Sequence, residues 1–409
     1  MNPRERILTA LSHQEADRVP VDLGSSLVTG IMAVPYRHLR KALGIDGEPI
    51  KVFDIVQQLA EVEEAVLKEV GGCVLPVYPQ YPKKWKPGKM TDGSPCLFPD
   101  YFTPETLPDG LKVFRETYGY FGKNEKREIT HKMPPNGFYY DMPYHPLQNA
   151  TTFEDIDEFW WGEKLSPEEQ NDLGQKAISL YENTEYALMG GGLWGGWGQV
   201  YEVLQNLRGW DTFLIDLIAN PCLAEYMLDK RLEAVMARFD QYFDIMGDYV
   251  QVISVGADLG TEEGPQLSPE LYRKIVKPRQ KKLYQFIKSK TNAYLFLHSC
   301  GSVYEFIPDF IEMGVNILNP VQVSGKNMDS KKLSKEFGKD VVFWGGGCDT
   351  QKVLPFGTPE EVRDEVKRRI DDFAPGGGFV FNTVHNIQIG VPIDNIVAMY
   401  ETVKDYGKY

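Results

Sequence analysis

Short apolar runs of strand character recur along the chain, from Arg18 to Gly24, Cys73 to Tyr78, Tyr186 to Gly190, Tyr249 to Asp258, Ala293 to His298, Val315 to Pro320, Val341 to Gly345 and Phe379 to Thr383. Between most of them lie amphipathic stretches: Phe53 to Val70, Pro221 to Met246, Pro269 to Lys288, Val303 to Met313 and Pro359 to Phe373. Strands alternating with helices predict a parallel sheet. The punctuation agrees. Ser166-Pro167-Glu168-Glu169 and Thr358-Pro359-Glu360-Glu361 each offer an N-cap oxygen, a proline at the first helical position and a glutamate three residues on, a capping box in both cases. Gly71, Gly314 and Gly338 stand where helices should stop.

Eight such units predict an α/β fold of the (β/α)8 TIM-barrel class, with functional groups at the carboxyl ends of the strands. The whole chain, 1–409, is expected to be one domain. Tyr78 to Trp161 breaks the pattern: it is rich in proline and aromatics, alternates weakly at Val113 to Tyr120, and reads as a loop and hairpin insertion after the second strand, about 79–161. It is expected either to close over the barrel mouth or to pack as a surface elaboration.

Composition narrows the function. Lysine and arginine number 44 against 58 acids, a formal charge of −14. A field of that sign repels phosphate and disfavours nucleic acid and anionic membrane surfaces as partners. The opening Met1 to Arg6 has no apolar core for a signal peptide, and no apolar run approaches the roughly 18 residues of a spanning helix, so a cytoplasmic protein is expected. Five scattered cysteines are too few for a disulfide framework and suit metal or catalytic use.

Candidate chemistry gathers at two strand ends. Side chains two apart on a strand face the same way, so His298 and Cys300 can address one centre while Ser299 turns aside. On a shared parallel rim, Cys348, at the end of the seventh run, can reach that centre too. One imidazole and two thiolates neutralise a zinc ion and leave a fourth position for substrate, the pattern of catalytic zinc. The alternative is three buried residues with ordinary packing roles.

Other residues invite roles at the same mouth. His385 and Asn382 close the eighth run, where imidazole can donate a proton or clamp substrate and the amide can bind it; a structural cap is the alternative for His385. Asp258 ends the fourth run and can ligate metal or hold a proton, with Glu262 and Glu263 just beyond. Gly190 to Gly195 formally matches G-x-G-x-x-G, but no acid follows at the end of a second strand, since Asp211 and Asp216 fall in a helical stretch. These glycines are better read as lining a substrate pocket floored by Trp194 and Trp197. His13, His38, His131 and His145 lie in helical or inserted segments, where surface or packing roles are expected.

At these residues the chain resembles the uroporphyrinogen decarboxylase superfamily along nearly its whole length. The blocks that carry the likeness are Arg4-Glu5-Arg6 to Arg18-Val19-Pro20, His298-Ser299-Cys300-Gly301, Trp344-Gly345-Gly346-Gly347 and Asn382 to His385. The resemblance implies the same barrel. One branch of that superfamily comprises corrinoid-dependent methyltransferases with a zinc motif His-x-Cys and a distant Cys, which His298, Cys300 and Cys348 match. The decarboxylase branch would share His385, but its arginine-rich segment after the first strand is missing from Val21 to Ser26.

The resemblance therefore implies a zinc methyltransferase moving a methyl group between a small O-methyl compound, an aryl methyl ether by preference, and a corrinoid protein, within a multi-component demethylase system. The corrinoid (cobalamin) is expected on a partner, because no histidine follows an aspartate in the D-x-H-x-x-G pattern. The alternatives are uroporphyrinogen decarboxylation, methyl transfer to a thiol, and a non-enzymatic corrinoid-handling scaffold. Barrels of this kind are often dimers, which leaves a homodimer open.

Overall fold

The structure is a computed structural model that describes residues 1–78, 82–119, 122–162, 164–191 and 199–409. Its centre is one sheet of seven parallel strands, β1 (Val74–Val77), β2 (Ala187–Gly191), β3 (Val252–Gly256), β4 (Tyr294–His298), β5 (Ile317–Asn319), β6 (Val342–Trp344) and β7 (Phe379–Val380), each beside its neighbour in sequence. The ring closes through residues 20–22. Val21 bridges in parallel to Gly72 before β1 and to Phe381 after β7, with Cys73 N–H donating to Val21 O at 2.8 Å and Asp22 N–H to Phe381 O at 2.9 Å. The first expected strand, Arg18 to Gly24, exists only as these bridges: Pro20 has no N–H to offer and Gly24 turns away at φ +87°. The α/β TIM-barrel class is thus realised.

Alternation along the strands sorts the two sides of the barrel. Val74, Met189, Val252, Phe296, Ile317, Val342, Trp344 and Val380 fill the lumen, while Leu295, Leu297, Leu318, Phe343 and Phe379 face the helices. Fully burying one such Leu or Phe contributes about 1.5–3 kcal/mol, so both faces favour closure. Helix α1 (Pro3–Leu11) adds Ile7 and Leu11 to the lumen from the amino end. Its ends are fastened to the strands, Gly378 N–H donating to Ala10 O at 3.1 Å and Arg4 N–H to Glu185 O at 2.7 Å. With that end plugged, chemistry is left to the carboxyl rim.

The outer helices follow the sequence pattern closely. Those at Pro221–Met246 and Pro359–Phe373 have the expected bounds, and the boxes at Ser166 and Thr358 cap their helices as the spacing requires. Gly71 and Gly314 end theirs in the left-handed conformation, whereas Gly338 does so with helical φ and ψ. Among the described residues, no helix is long and apolar enough to cross a membrane.

One helical expectation fails. Of Phe53 to Val70 only Glu64–Val70 is helical; Ile50–Asp54 and Leu59–Ala60 are strands. The β-favouring Ile50, Val52 and Phe53 start a strand that the Asp54 carboxylate ends by accepting from Val56 N–H and Gln57 N–H at 2.7 and 2.8 Å. Ile50–Asp54 pairs in parallel with Pro95–Pro99, itself antiparallel to Trp85–Lys89. The inserted region therefore shares its sheet with residues upstream of β1. A second small sheet joins Glu105–Thr106, Lys112–Phe114 and His131–Met133.

Candidate metal centre and active site

The alternation that places Phe296 in the lumen continues past the end of β4 to His298 and Cys300. Their side chains meet: the Cys300 Sγ lies 3.3 Å from His298 Nε2. The third member of the group is His385 from the loop after β7, and the ligand atoms of all three lie within 4.8 Å of one another. The His298 and His385 rings stand edge to face, 5.5 Å between centroids. A site able to hold a metal ion is thus assembled at the rim where the barrel class predicts function.

Neighbouring groups set the state of each donor. Asn319, paired with His298 across β4 and β5, donates its Nδ2 to Trp344 O at 2.8 Å, which turns its Oδ1 toward His298 Nδ1 at 2.7 Å. Because that oxygen only accepts, Nδ1 must carry the proton and Nε2 keeps its lone pair toward the centre. Burial, together with the Asp258 charge, pushes the Cys300 thiol well above its usual range. Burial and the neighbouring His298 hold His385 below the usual imidazole range, so it is neutral at pH 7. Neutral imidazole is the form that ligates.

Asp258 adjoins this group. Its Oδ1 accepts from Cys300 N–H at 2.8 Å and lies 3.6 Å from His298 Nε2. The crossing of two loops holds Cys300 in place. Gly301, at φ +85°, presses against Gly260 so closely that a Cβ on it would come within 2.4 Å of the Gly260 carbonyl carbon, and Ser302 N–H donates to Thr261 O at 2.7 Å.

Cys348 stands apart from the three clustered ligands. Gly345 and Gly346, at φ +99° and +75°, break the strand alternation after Trp344. Cys348 is then buried in the outer core, where Glu365, Asp349 and Arg369 act on its thiol. Its backbone stays on the rim, accepting from Val384 N–H at 3.2 Å, one residue before His385. The sulfur and the carbonyl of this residue thus serve different layers.

Asn382 is fully interior. Its Nδ2 donates to Asp22 O and Thr29 O at 3.0 and 3.2 Å, and its Oδ1 is buried without a protein partner among the described residues. Trp194 and Trp197 lie outside the described residues, as does most of the glycine-rich loop around them. His131 is buried in the insertion with its Nδ1 2.9 Å from the Thr130 hydroxyl, and the His145 Nδ1 donates to Asn206 O at 2.6 Å; both are packing roles.

Two residues of the site escaped the sequence reading. Asn319 was legible, since the alternation that singles out His298 applies equally at the next strand end. Glu202 was not, because it opens a helix (Glu202–Arg208) beyond the glycine-rich loop. Its Oε2 accepts from Gln199 Nε2 at 2.8 Å, and burial beside Asp258 raises its carboxyl enough to keep it protonated at pH 7.

Residues 149–406 match the family model described as uroporphyrinogen decarboxylase (URO-D). A uroporphyrinogen decarboxylase of Synechocystis sp. is 26% identical over 189 residues, 46% of this chain and 49% of that protein, so the match spans about half the length of this curated relative. A methyltransferase from Methanosarcina mazei has a similar structure, with a TM-score of 0.57 at 16% identity and 99% of each chain covered, a likeness of fold. On the extent of the family match, borne by a barrel that closes as that fold does, this chain belongs to the uroporphyrinogen decarboxylase family.

Proposed function

We propose that this protein is a zinc-dependent methyltransferase that moves a methyl group between a small O-methyl compound, an aryl methyl ether by preference, and a corrinoid on a separate partner protein. The observation that carries this reading is the convergence of His298 Nε2, Cys300 Sγ and the His385 imidazole on one point. Two neutral imidazoles and one thiolate suit zinc, and three protein donors leave a position for substrate. When bound there, zinc would polarise the ether oxygen as a Lewis acid and ease its departure from the methyl group. The chain's own residues would do the rest. Asn319 keeps the His298 lone pair on the centre, the Asp258 carboxylate adds negative charge beside it, and protonated Glu202 is a proton source for the departing oxygen.

Uroporphyrinogen decarboxylation is the second reading, supported by the family name. Against it stands charge: Asp258 and Glu262 act on the rim, and Val21 to Ser26 holds no arginine, a poor setting for a polycarboxylate. Metal analysis separates the possibilities. His298→Ala, Cys300→Ser and His385→Ala should each lose zinc, while Cys348→Ser should keep it; the reverse result for His385 and Cys348 would restore a two-thiolate site. Anaerobic spectroscopy of a reduced corrinoid protein, mixed with this protein and 2-methoxyphenol, should report methylation of cobalt. Release of carbon dioxide from uroporphyrinogen by metal-stripped protein would overturn the proposal.

A further inference from the structure

One carboxylate ties together four neighbouring strand ends of the rim. Glu262 lies on the loop after β3, and its Oε1 accepts from the side-chain amides of Gln322, after β5, and Gln351, after β6. Its Oε2 accepts from the Ser324 hydroxyl at 3.5 Å, and its backbone O from Lys326 N–H at 2.9 Å. Gln322 carries the connection to the fourth loop, the one after β4: its Oε1 accepts at 2.6 Å from Gly301 N–H, which belongs to the peptide that follows Cys300.

Polarity fixes this arrangement. The Gln322 side chain is buried, and its amide has one accepting and one donating end. The Glu262 carboxylate only accepts, so it holds the Nε2 end and leaves the Oε1 end for Gly301 N–H. Turning the amide over would set oxygen against oxygen and N–H against N–H. Asn319 stands in the same relation to His298, its amide oriented by Trp344 O. Each donor at the end of β4 is thus served by an amide from the end of β5. For Cys300 the effect is to fix the peptides on both sides of the thiol, since its own N–H donates to Asp258 and the next N–H to Gln322.

We propose that Gln322 is a positioning residue for the Cys300 thiol, held in its working orientation by Glu262. The inference rests on the reading of Cys300 as a metal ligand and gives Glu262 a role outside the ligand set. With the peptide after Cys300 free to turn, the Sγ swings away from the point it shares with His298 and His385, and a small misplacement of that kind weakens a metal site while the fold persists.

The test compares the full-length protein with Gln322→Ala, Gln322→Glu, Glu262→Gln and the exchanged pair Glu262→Gln/Gln322→Glu. It reads zinc affinity by competition with a chromophoric chelator, and amide hydrogen exchange in the metal-free protein. Gln322→Ala and Gln322→Glu should each weaken zinc on the order of tenfold and speed exchange at residues 299–303, with the barrel strands exchanging as in the wild type. Glu262→Gln keeps an accepting oxygen for the Gln322 amide and should stay within about twofold. The exchanged pair again sets one donor against one acceptor and should return both readings toward wild type, a rescue that lost packing would not give. Gln322→Glu is isosteric, so it decides the matter if the alanine variant does not fold. The proposal is overturned if that variant leaves 299–303 fully protected, if exchange rises through the whole barrel, if the loop loosens with zinc affinity unchanged, or if the exchanged pair rescues nothing. Should the wild type bind no zinc while exchange at 299–303 rises in Gln322→Glu and reverses in the exchanged pair, the clamp stands and the metal reading falls.

Discussion

Asn319 offers the most direct test of how this site is wired. It is fully buried between two partners, His298 Nδ1 at 2.7 Å and Trp344 O at 2.8 Å. Asn319→Ala leaves an imidazole N–H and a carbonyl without partners, each costing about 1–3 kcal/mol, so the folded state should lose about 2–6 kcal/mol. His298 is then free to rotate and to change tautomer, and zinc affinity should fall roughly 10- to 100-fold. Asn319→Asp separates the two effects: it keeps an acceptor for Nδ1, so zinc affinity should hold or tighten, but it sets a carboxylate against the Trp344 carbonyl, so stability should still drop. The assay pairs competition for zinc against a chromophoric chelator with chemical denaturation of metal-free protein. Equal zinc affinity in wild type and Asn319→Ala, with stability lowered, would refute the argument that this amide sets the ligating nitrogen.

Further expectations follow from neighbouring features. Gly301→Ala should displace Cys300, because the added Cβ would meet Gly260 at 2.4 Å from a φ of +85°, and zinc content should fall although no ligand is altered; full zinc occupancy would show that the loop crossing does not position the thiol. Zinc binding near pH 7 should release about one proton, from the Cys300 thiol and not from neutral His385, so affinity should rise with pH; calorimetry in buffers of different ionisation enthalpy measures it, and no release would contradict the raised thiol. Asp22, accepting from Ser25 and the Trp344 indole, is raised by burial from 3.8 to about 6. The folded state then binds the proton more tightly than the unfolded state, so this contribution is present below pH 3.8 and lost as pH rises through 6. Raising this carboxyl from 3.8 to about 6 corresponds to about 3 kcal/mol, so the stability of wild type relative to Asp22→Asn should fall by that order between pH 4 and 7. A difference that does not vary with pH would sink that reading.

Much of the architecture was legible because it is local. Short apolar runs marked every strand of the central sheet, and proline, cap and glycine positions marked the bounds of helices such as Pro221–Met246 and Pro359–Phe373. Strand alternation, continued past the end of β4, brought His298 and Cys300 to one face. Where local preference was ambiguous the reading slipped: Ile50–Asp54 can be a strand only because Pro95–Pro99 lies ready to pair with it, and nothing in the periodicity of residues 53–70 announces that partner.

What the sequence by itself determined, then, was the barrel and the strand ends that stand on its rim. Tertiary structure alone brought His298, Cys300 and His385 together there. Cys348 and His385 both follow strands, and no pattern distinguishes them; Gly345 and Gly346 break the alternation after Trp344 and leave the thiol in the outer core, while the closing of the ring at Val21 carries the last strand, and His385 with it, round to meet His298. Which side chains converge depends on how distant strand ends are aimed once the sheet has closed, and that direction is a property of the assembled ring rather than of any segment in it.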